Sequence, residues 1–357
     1  MYIVLAIIAF GLLIAIHEVG HFTAAKLLHV RVNEFAIGMG PAILKKQGKE
    51  TLYSWRLLPF GGYCAMGEDS GDADDPRSFL AQKRWRRIVI LAAGAIANFI
   101  AAFIIIVILI SGYKSFAGTT LTGFMDGFPN EGEHGLMVGD TILSISGEKM
   151  YYYDDISLFL SLAENRGDKE IDLVVRRGNE KIQLNKFPLE RREYTVGEKT
   201  QRMFGLIFDR IEPTVMEKLK YSGYTAMNNI RLIRVSIAQL FTGAAGIQDL
   251  SGPVGIVNAM NDIGQESKTT REALFRITHF IAFIGVNLAV MNMLPIPALD
   301  GGRILFIFIS WFIEKIIRRR LDPKYEGYIH MAVFVLLIGF MIFTLVNDVL
   351  KIVISPQ

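Results

Sequence analysis

Long apolar runs separated by polar stretches dominate the chain, and four of them are long enough to cross a lipid bilayer. A spanning helix needs about 20 mostly apolar residues. The four predicted spans are Tyr2–Leu28, Ile88–Gly112, Ile277–Ala298 and roughly Ile329–Val346. The first has no Lys or Arg before its apolar core and no small-residue cleavage site, so we expect a retained anchor and not a cleaved signal.

The stretch after the first span, Val30–Tyr63, has the glycine-punctuated pattern of short strands. Its apolar parts, Phe35–Pro41 and Leu58–Tyr63, flank a polar tip at Lys45–Glu50. This pattern predicts a hairpin or small sheet, with a plain structural loop as the alternative. A sheet here would offer a free edge to an extended peptide. The acidic stretch that follows, Glu68–Asp75, is expected to be a solvated loop.

A soluble α+β module is predicted between the second and third spans, over residues 120–190. Gly135–Gly147 contains a turn, an alternating strand and a second turn, and a helical stretch, Tyr153–Ala163, precedes the strand Glu170–Arg176. The next segment, Val215–Leu240, is amphipathic with a 3.6-residue period. It is expected either to lie on the outer membrane surface or to pack on the module.

Composition agrees with a mixed membrane and soluble chain. Of its 357 residues, 51% are hydrophobic, and the mean hydropathy is +0.34. A net charge of only +3 implies no nucleic-acid surface, and the single cysteine, Cys64, excludes intramolecular disulfides and a cysteine-built zinc site.

Two basic clusters predict the orientation of the spans, because Lys and Arg concentrate on the cytoplasmic side. They precede the second and fourth spans and consist of Lys83, Arg84, Arg86 and Arg87, and of Lys315, Arg318, Arg319, Arg320 and Lys324. The N-terminus, residues 113–276 and the C-terminal tail are then extracytoplasmic.

The first span ends in the sequence His17-Glu18-Val19-Gly20-His21, which predicts a metal site. Histidines four apart lie on one helix face, so both can bind one zinc ion while Glu18 takes a proton from a zinc-bound water. His17 lies about 22 Å along the helix from Tyr2, inside the bilayer. Ionisable residues at such depth are usually functional. The alternative is three polar residues that cap a helix near the headgroups.

The third ligand is expected to be Asp300, which follows two helix-breaking prolines at the inner end of the third span. Its predicted depth is close to that of His21, and two histidines with one carboxylate leave an open position for water. The alternative role is an N-cap of a helix over Arg303–Arg319. Asn98, in the second span, is expected to hydrogen-bond within the helix bundle, with a catalytic role as the alternative.

Two rival functions fit parts of this pattern. One is a protease that acts on soluble or peripheral polypeptides, although the metzincin motif would need Gly and His where this chain has Ala24 and Leu27. The other is a membrane scaffold or carrier with a structural metal centre, which would need a fourth protein ligand. His29, His134, His279 and His330 are interpreted as structural or exposed.

The motifs together resemble the site-2 protease family of zinc intramembrane metalloproteases, and more closely its bacterial group with a PDZ insert, which includes regulator-of-sigma-E-type proteases. In chain order they are HEVGH, FAIGMGP, LPFGGY, AAGAIANF, HGLMVGDTILSISG, SGPVGI and NMLPIPALDGG. The chain departs from relatives in having room for one PDZ module and in reading Gly-Ala, not Gly-Pro, at positions 94–95.

The resemblance implies zinc as cofactor, His17, His21 and Asp300 as its ligands, and Glu18 as the catalytic acid and base. It implies that Asn292, Pro295 and Pro297 help to hold the substrate, and Gly61 and Gly62 are expected to contact it at the sheet edge. The substrates would be single-pass membrane proteins, such as anti-sigma factors or signal-peptide remnants, first trimmed by a site-1-type protease. The PDZ module would serve as a size filter.

The predicted fold is therefore a polytopic α-helical membrane protein of a bacterial cell membrane, with a membrane-associated β region and one inserted extracytoplasmic PDZ domain. The predicted divisions are 1–29 (first span), 30–84 (cytoplasmic-side β region and loop), 85–113 (second span), 114–200 (PDZ domain), 201–276 (extracytoplasmic amphipathic linker), 277–304 (third span), 305–328 (cytoplasmic basic helix and loop) and 329–357 (fourth span and tail).

Overall fold

The computed structural model describes residues 1–66, 75–188, 190–196, 199–243, 252–318 and 323–354. Some predicted features lie outside the described residues: most of the acidic loop 68–75, Ser251, Arg319 and Arg320, and the side chains of Lys324 and His330. The helices are α1 Tyr2–Leu27, α2 Arg84–Ser111, α3 Tyr153–Asn165, α4 Val215–Thr242, α5 Pro253–Glu266, α6 Thr270–Asn292, α7 Asp300–Ile317 and α8 Pro323–Ile354. The strands are β1 Glu34–Gln47, β2 Leu52–Ala65, β3 Phe116–Phe124, β4 Thr141–Ile145, β5 Glu148–Lys149, β6 Glu170–Arg177, β7 Glu180–Pro188, β8 Arg192–Val196, β9 Lys199–Met203 and β10 Leu206–Ile211.

The chain divides into two compact units. One contains residues 1–106 and 229–357, and the other contains residues 107–228. The first unit holds α1, the β1–β2 region and helices α5 to α8. The second holds the sheet formed by β3 to β7 and β10, together with α3.

Within the described residues, four helices are long and apolar enough to span a membrane: α1, α2, α6 and the part of α8 from Gly327 to Asp348. The four predicted apolar helices are therefore present, but the third differs from the predicted span at both ends. It begins at Thr270 because the hydroxyl of Thr269 caps it, accepting a hydrogen bond from the Glu272 backbone N–H at 3.1 Å. It ends at Asn292, before the two prolines, which lack the N–H that a continuing helix requires.

β1 and β2 form a small sheet of four paired segments, which is one of the two arrangements predicted. Residues 34–37 pair antiparallel with residues 62–65 on one side and parallel with residues 52–55 on the other, and residues 52–55 also pair with residues 44–47. The strands bend at glycines with positive φ, which side chains rarely tolerate: Gly38, Gly40 and Gly61. Because of these bends, residues 62–65 lie at one edge of the sheet.

Residues 116–211 contain a six-stranded antiparallel sheet with strand order β10-β3-β4-β6-β7, and β5 pairs with β4. Helix α3 buries Ile156, Phe159 and Leu160. The predicted helix at Tyr153 and strand at Glu170 are both present. β10 lies beyond the predicted boundary at residue 200, within the predicted linker, and pairs with β3, whose paired residues are 82 to 95 positions earlier in the chain.

The first part of α4 packs on this module. Tyr221 is 7% exposed, its ring stacks on that of Phe116 with centroids 4.2 Å apart, and its hydroxyl donates a hydrogen bond to Asp154. Of the two positions proposed for the amphipathic segment, packing on the module is therefore the one adopted by its N-terminal turns.

Candidate metal centre

Helix α1 places the two motif histidines on one face, one turn apart. Their Nε2 atoms are 3.1 Å from each other, and His21 is only 6% exposed. The helix forms here because residues 3–16 are apolar throughout and contain no proline. The spacing that the sequence predicted thus brings both ring nitrogens to one point.

Asp300 completes the cluster. Its Oδ2 atom lies 3.2 Å from His17 Nε2 and 3.3 Å from His21 Nε2. These separations lie within ion-pair distance, yet Oδ2 is buried and has no partner in hydrogen-bond geometry. A buried carboxylate oxygen without a hydrogen bond is costly, and a metal ion is one group that could satisfy it.

The three donor atoms fit a zinc ion. In a tetrahedral site with bonds of 2.0–2.1 Å, neighbouring ligand atoms are about 3.3 Å apart, close to the separations seen here. His17, His21 and Asp300 form the group of His, Cys, Asp and Glu residues whose ligand atoms lie within 4.8 Å of one another. Among the described residues no fourth such side chain joins it, so the cluster has the three-ligand composition of catalytic zinc sites.

Backbone groups of α2 orient His21. The ring Nδ1 lies 2.8 Å from the Ile90 carbonyl oxygen, and a carbonyl can only accept, so Nδ1 carries the proton and Nε2 is free to bind a metal. The sequence did not reveal this contact, because every residue has a carbonyl group.

Two glycines let the helices approach closely enough for this arrangement. A Cβ added to Gly94 would lie 2.4 Å from His21 Nε2, and one added to Gly20 would lie 2.4 Å from the Ala93 carbonyl oxygen. Both positions therefore require glycine. A Cβ on Gly20 would also lie 2.8 Å from the Ala97 Cβ, and Gly94 faces the histidines themselves.

The α6–α7 connection positions Asp300. A Cβ on Gly301 would meet the Met293 carbonyl oxygen at 2.3 Å, and one on Gly302 would meet the Ile296 carbonyl oxygen at 2.1 Å. The glycines thus allow the start of α7 to pack against the connection. The N-cap role suggested for Asp300 is wrong, because α7 begins at Asp300 with Leu299 as its N-cap.

A cavity of about 490 Å³ opens on the cluster. Its lining includes Glu18, Gly62 and Asn292, which the sequence singled out, and also Tyr63, Cys64 and Arg303, which it did not. Gly61, Pro295 and Pro297 are not among the lining residues. The edge segment 62–65 of the small sheet thus borders the same cavity as the motif glutamate.

The two asparagines that the sequence singled out have different surroundings. The Asn292 side-chain nitrogen is 3.4 Å from His17 Nδ1. Asn98 is 1% exposed, and its Oδ1 atom has no hydrogen-bond partner among the described residues. The expected hydrogen bond of Asn98 within the bundle is therefore not made by this oxygen.

Cys64 lines the same cavity as the metal cluster, and its side chain is a protonated thiol. Burial, together with the charge of Glu18, raises the pKa of the Cys64 thiol to about 12. The thiolate that would bind a metal is therefore disfavoured at neutral pH. His29 and His134 are exposed and His279 is partly buried, and none of them joins the cluster.

Comparison with known proteins finds relatives that align with nearly the whole chain. A model of peptidase family M50 matches residues 5–340. A Clostridium acetobutylicum protein with the provisional name of a zinc metalloprotease is 36% identical over 348 residues, which cover 97% of each chain. The regulator of sigma-W protease RasP of Bacillus subtilis is 31% identical over 396 residues (88% of this chain, 90% of that protein). The zinc metalloprotease RasP of Bacillus licheniformis is 28% identical over 407 residues (88% and 91%).

Proposed function

The chain belongs to peptidase family M50, the site-2 protease family, and is a zinc metalloprotease; from this premise we propose that it hydrolyses peptide bonds within the membrane-spanning segments of single-pass proteins. One observation carries the proposal: the donor atoms of His17, His21 and Asp300 converge at the C-terminal part of an apolar helix long enough to span a bilayer.

We assign His17, His21 and Asp300 as the residues that hold zinc. The metal, when bound, lowers the pKa of water and polarises a carbonyl group. Glu18 borders the same cavity, and we propose that its carboxylate accepts a proton from the attacking water and delivers it to the leaving amide nitrogen. The burial of the site excludes bulk water and so strengthens these electrostatic interactions.

The substrate is proposed to bind as an added strand at the edge segment 62–65. A helical peptide bond is shielded by its own hydrogen bonds, so the substrate must unwind locally, and a sheet edge offers replacement partners. Segment 62–65 pairs with residues 34–37, and all four of its residues line the cavity. Gly62 keeps the edge close to Glu18, since a Cβ there would lie 2.9 Å from the Glu18 Cγ.

Further substrate contacts are proposed for residues of the α6–α7 connection. Asn292 lines the cavity and is placed to hold the unwound strand through its side-chain amide. Pro295 and Pro297 keep the connection irregular, and Gly61 provides the bend that precedes the edge segment.

We propose that the module over residues 116–211 is a PDZ domain. Strand β10 is at one edge of its sheet, and an apolar cavity lies between side chains of β10, α3 and β4, such as Leu206, Leu160 and Ile142. A peptide could add to that edge as PDZ ligands do. The module is proposed to exclude substrates whose outer domain has not been trimmed by an upstream protease.

The protein is proposed to lie in a bacterial cell membrane with both termini and residues 113–276 outside. The basic residues at the start of α2 and the end of α7 support this orientation. Lys49→Cys in a Cys64→Ser background should react with a membrane-impermeant maleimide only in inside-out vesicles. Labelling from the outer face would reverse the assignment.

The named relative in Bacillus subtilis regulates sigma-W, so membrane-bound regulators of sigma factors are proposed among the substrates, beside remnants of signal peptides. The decisive experiment compares the membrane proteomes of cells with the wild type and with Glu18→Gln. We expect single-span fragments to accumulate only with Glu18→Gln, while the purified variant keeps its zinc. Normal cleavage by Glu18→Gln would disprove the proposed role of Glu18. If the two membrane proteomes contained the same single-span fragments, intramembrane cleavage would be disproved.

A further inference from the structure

Four polar side chains meet within the small sheet of β1 and β2, and the roles proposed above use none of them. This group, here called the Arg56 cluster, consists of Glu34, Ser54, Arg56 and Tyr63. Glu34 Oε1 accepts hydrogen bonds from the Ser54 hydroxyl at 2.7 Å and from Arg56 Nη2 at 2.9 Å. The cluster is unexpected in a region whose neighbouring side chains, such as Trp55 and Leu57, are apolar.

Arg56 connects separate parts of the sheet. Its Nη1 donates to the Gly40 carbonyl oxygen at 2.8 Å, which fastens the first bend. Its Nη2 donates to the Tyr63 hydroxyl, and the guanidinium carbon lies 5.0 Å from the Tyr63 ring centroid. One side chain therefore holds the bend at Gly40, the central segment through Glu34, and the edge segment through Tyr63.

The position of the edge segment matters most for the proposed binding of the substrate. Tyr63 lines the catalytic cavity together with Glu18. A strand added to this edge takes its register from the edge, and a slip of one residue moves the added strand by about 3.3 Å. A shift of that size would present a different peptide bond to Glu18.

The chemistry of the cluster suits a positioning role. The Arg56 and Glu34 side chains are 21% and 20% exposed, and such partly exposed pairs contribute little to stability. A guanidinium, however, offers donors in a fixed planar arrangement, so it constrains the geometry of several acceptors at once. Lysine at this position would keep the charge but lose that constraint.

We propose that Arg56 is a positioning residue that fixes the edge segment 62–65 relative to Glu18 and thereby determines which bond of the substrate is cut. The inference rests on the proposed addition of the substrate to this edge. It concerns the accuracy of cleavage and not the chemistry of the metal centre.

The experiment uses the full chain in liposomes with a synthetic peptide whose single span, about 20 residues of leucine, valine and glycine, is flanked by lysines. Arg56→Gln, Arg56→Lys and Tyr63→Phe are compared with the wild type for KM, kcat, zinc content and the masses of the fragments. Arg31→Gln is the matched control, because Arg31 also forms an ion pair, with Asp75 at 3.0 Å, but is not a member of the Arg56 cluster.

We expect Arg56→Gln and Arg56→Lys to cut at several adjacent bonds and to raise KM several-fold, with unchanged zinc content. Tyr63→Phe should broaden the cut positions less, and Arg31→Gln should match the wild type. A single unchanged cut position in the Arg56 variants would overturn the inference, even if kcat fell. If Arg56→Gln fails to fold, Arg56→Lys and Tyr63→Phe decide the question.

Failure of the proposed function has a different signature. In that case the wild type and Glu18→Gln would both leave the peptide intact. The positioning role of Arg56 is tested by the masses of the fragments that each active variant produces. One set of measurements therefore distinguishes failure of this inference from failure of the proposed function.

Discussion

At the scale of single residues, the centre depends on backbone groups as much as on donor side chains. The Ile90 carbonyl sets the tautomer of His21, and Gly94 leaves space for both histidine rings. Such contacts usually influence metal affinity strongly, because they orient the ligands before the ion arrives.

Gly94→Ala tests this point. Alanine normally stabilises a helix relative to glycine, by up to about 1 kcal/mol, but its Cβ here would lie 2.4 Å from His21 Nε2. We therefore expect zinc affinity to fall by about 10- to 100-fold, as measured by chelator competition. Gly112→Ala, at the residue that directly follows α2, is the control, since its nearest neighbour would be 3.6 Å away. Equal affinities in the two variants would contradict the steric argument.

Residue-level reasoning from the sequence worked best where the relevant contacts are local. His17 and His21 could be paired because a helix fixes the i, i+4 spacing. Asp300 was predicted as the third ligand from its expected depth in the membrane, which is a less direct argument than helix spacing. Its suggested capping role was wrong. Ile90 could not be found, because its contribution is a main-chain carbonyl, and Tyr63 could not be placed on the cavity without the bends at glycine.

At the scale of elements, the helices were predictable and the sheets only partly so. Apolar runs located α1, α2, α6 and α8 to within several residues. The β1–β2 region was expected as a hairpin or small sheet, but its division into four segments at three positive-φ glycines was not predicted. β10 was missed as a sheet strand because its pairing with β3 is non-local, and strand pairing of this kind leaves little trace in the local sequence.

The sheet module also contains an ion pair between Asp140 and Arg177, whose side chain is 23% exposed. Asp140 is fully buried, accepts hydrogen bonds from Arg177 Nε at 2.9 Å and Nη2 at 2.8 Å, and accepts a third from the Met137 backbone N–H at 2.9 Å. The charge of Asp140 holds the pKa of Arg177 above its usual value, against the opposing effect of burial.

Asp140→Asn should destabilise the module markedly. Loss of one partner leaves a partly buried charge unpaired, which costs about 3 kcal/mol. Asp168→Asn removes a similar pair with Arg166, in which both side chains are 37% exposed, and should cost less than about 1 kcal/mol. Thermal unfolding of the purified full-length variants compares the two, and equal losses would show that burial does not determine the strength of the pair.

At the scale of the whole molecule, four apolar helices and an inserted sheet module fit a membrane-embedded protease. The module begins and ends at adjacent points, because Phe116 of β3 pairs directly with Ile211 of β10. The two ends of the module are therefore close enough for a short linker to join them.

Replacement of residues 116–211 by a short Gly-Ser linker tests the size-filter proposal. We expect the shortened protein to cleave untrimmed and trimmed forms of a single-span substrate at similar rates, whereas the wild type prefers the trimmed form. Deletion of residues 120–190 alone would be a poorer test, because it leaves β10 without its partner strand. Retained preference for the trimmed form in the shortened protein would rule out the filter.

The buried Asp300 oxygen, which has no hydrogen-bond partner, has a consequence for the stability of the enzyme when zinc is scarce. Without a cation, two imidazoles and a carboxylate are confined together with an unmet polar atom, so the apo form should be the weaker fold. Zinc present at about 1,000 times its dissociation constant would add about 4 kcal/mol to the free energy of unfolding. Chelation should therefore lower the melting temperature of the wild type and change that of Asp300→Ala much less, which would make zinc supply a determinant of how long the protease persists in the membrane.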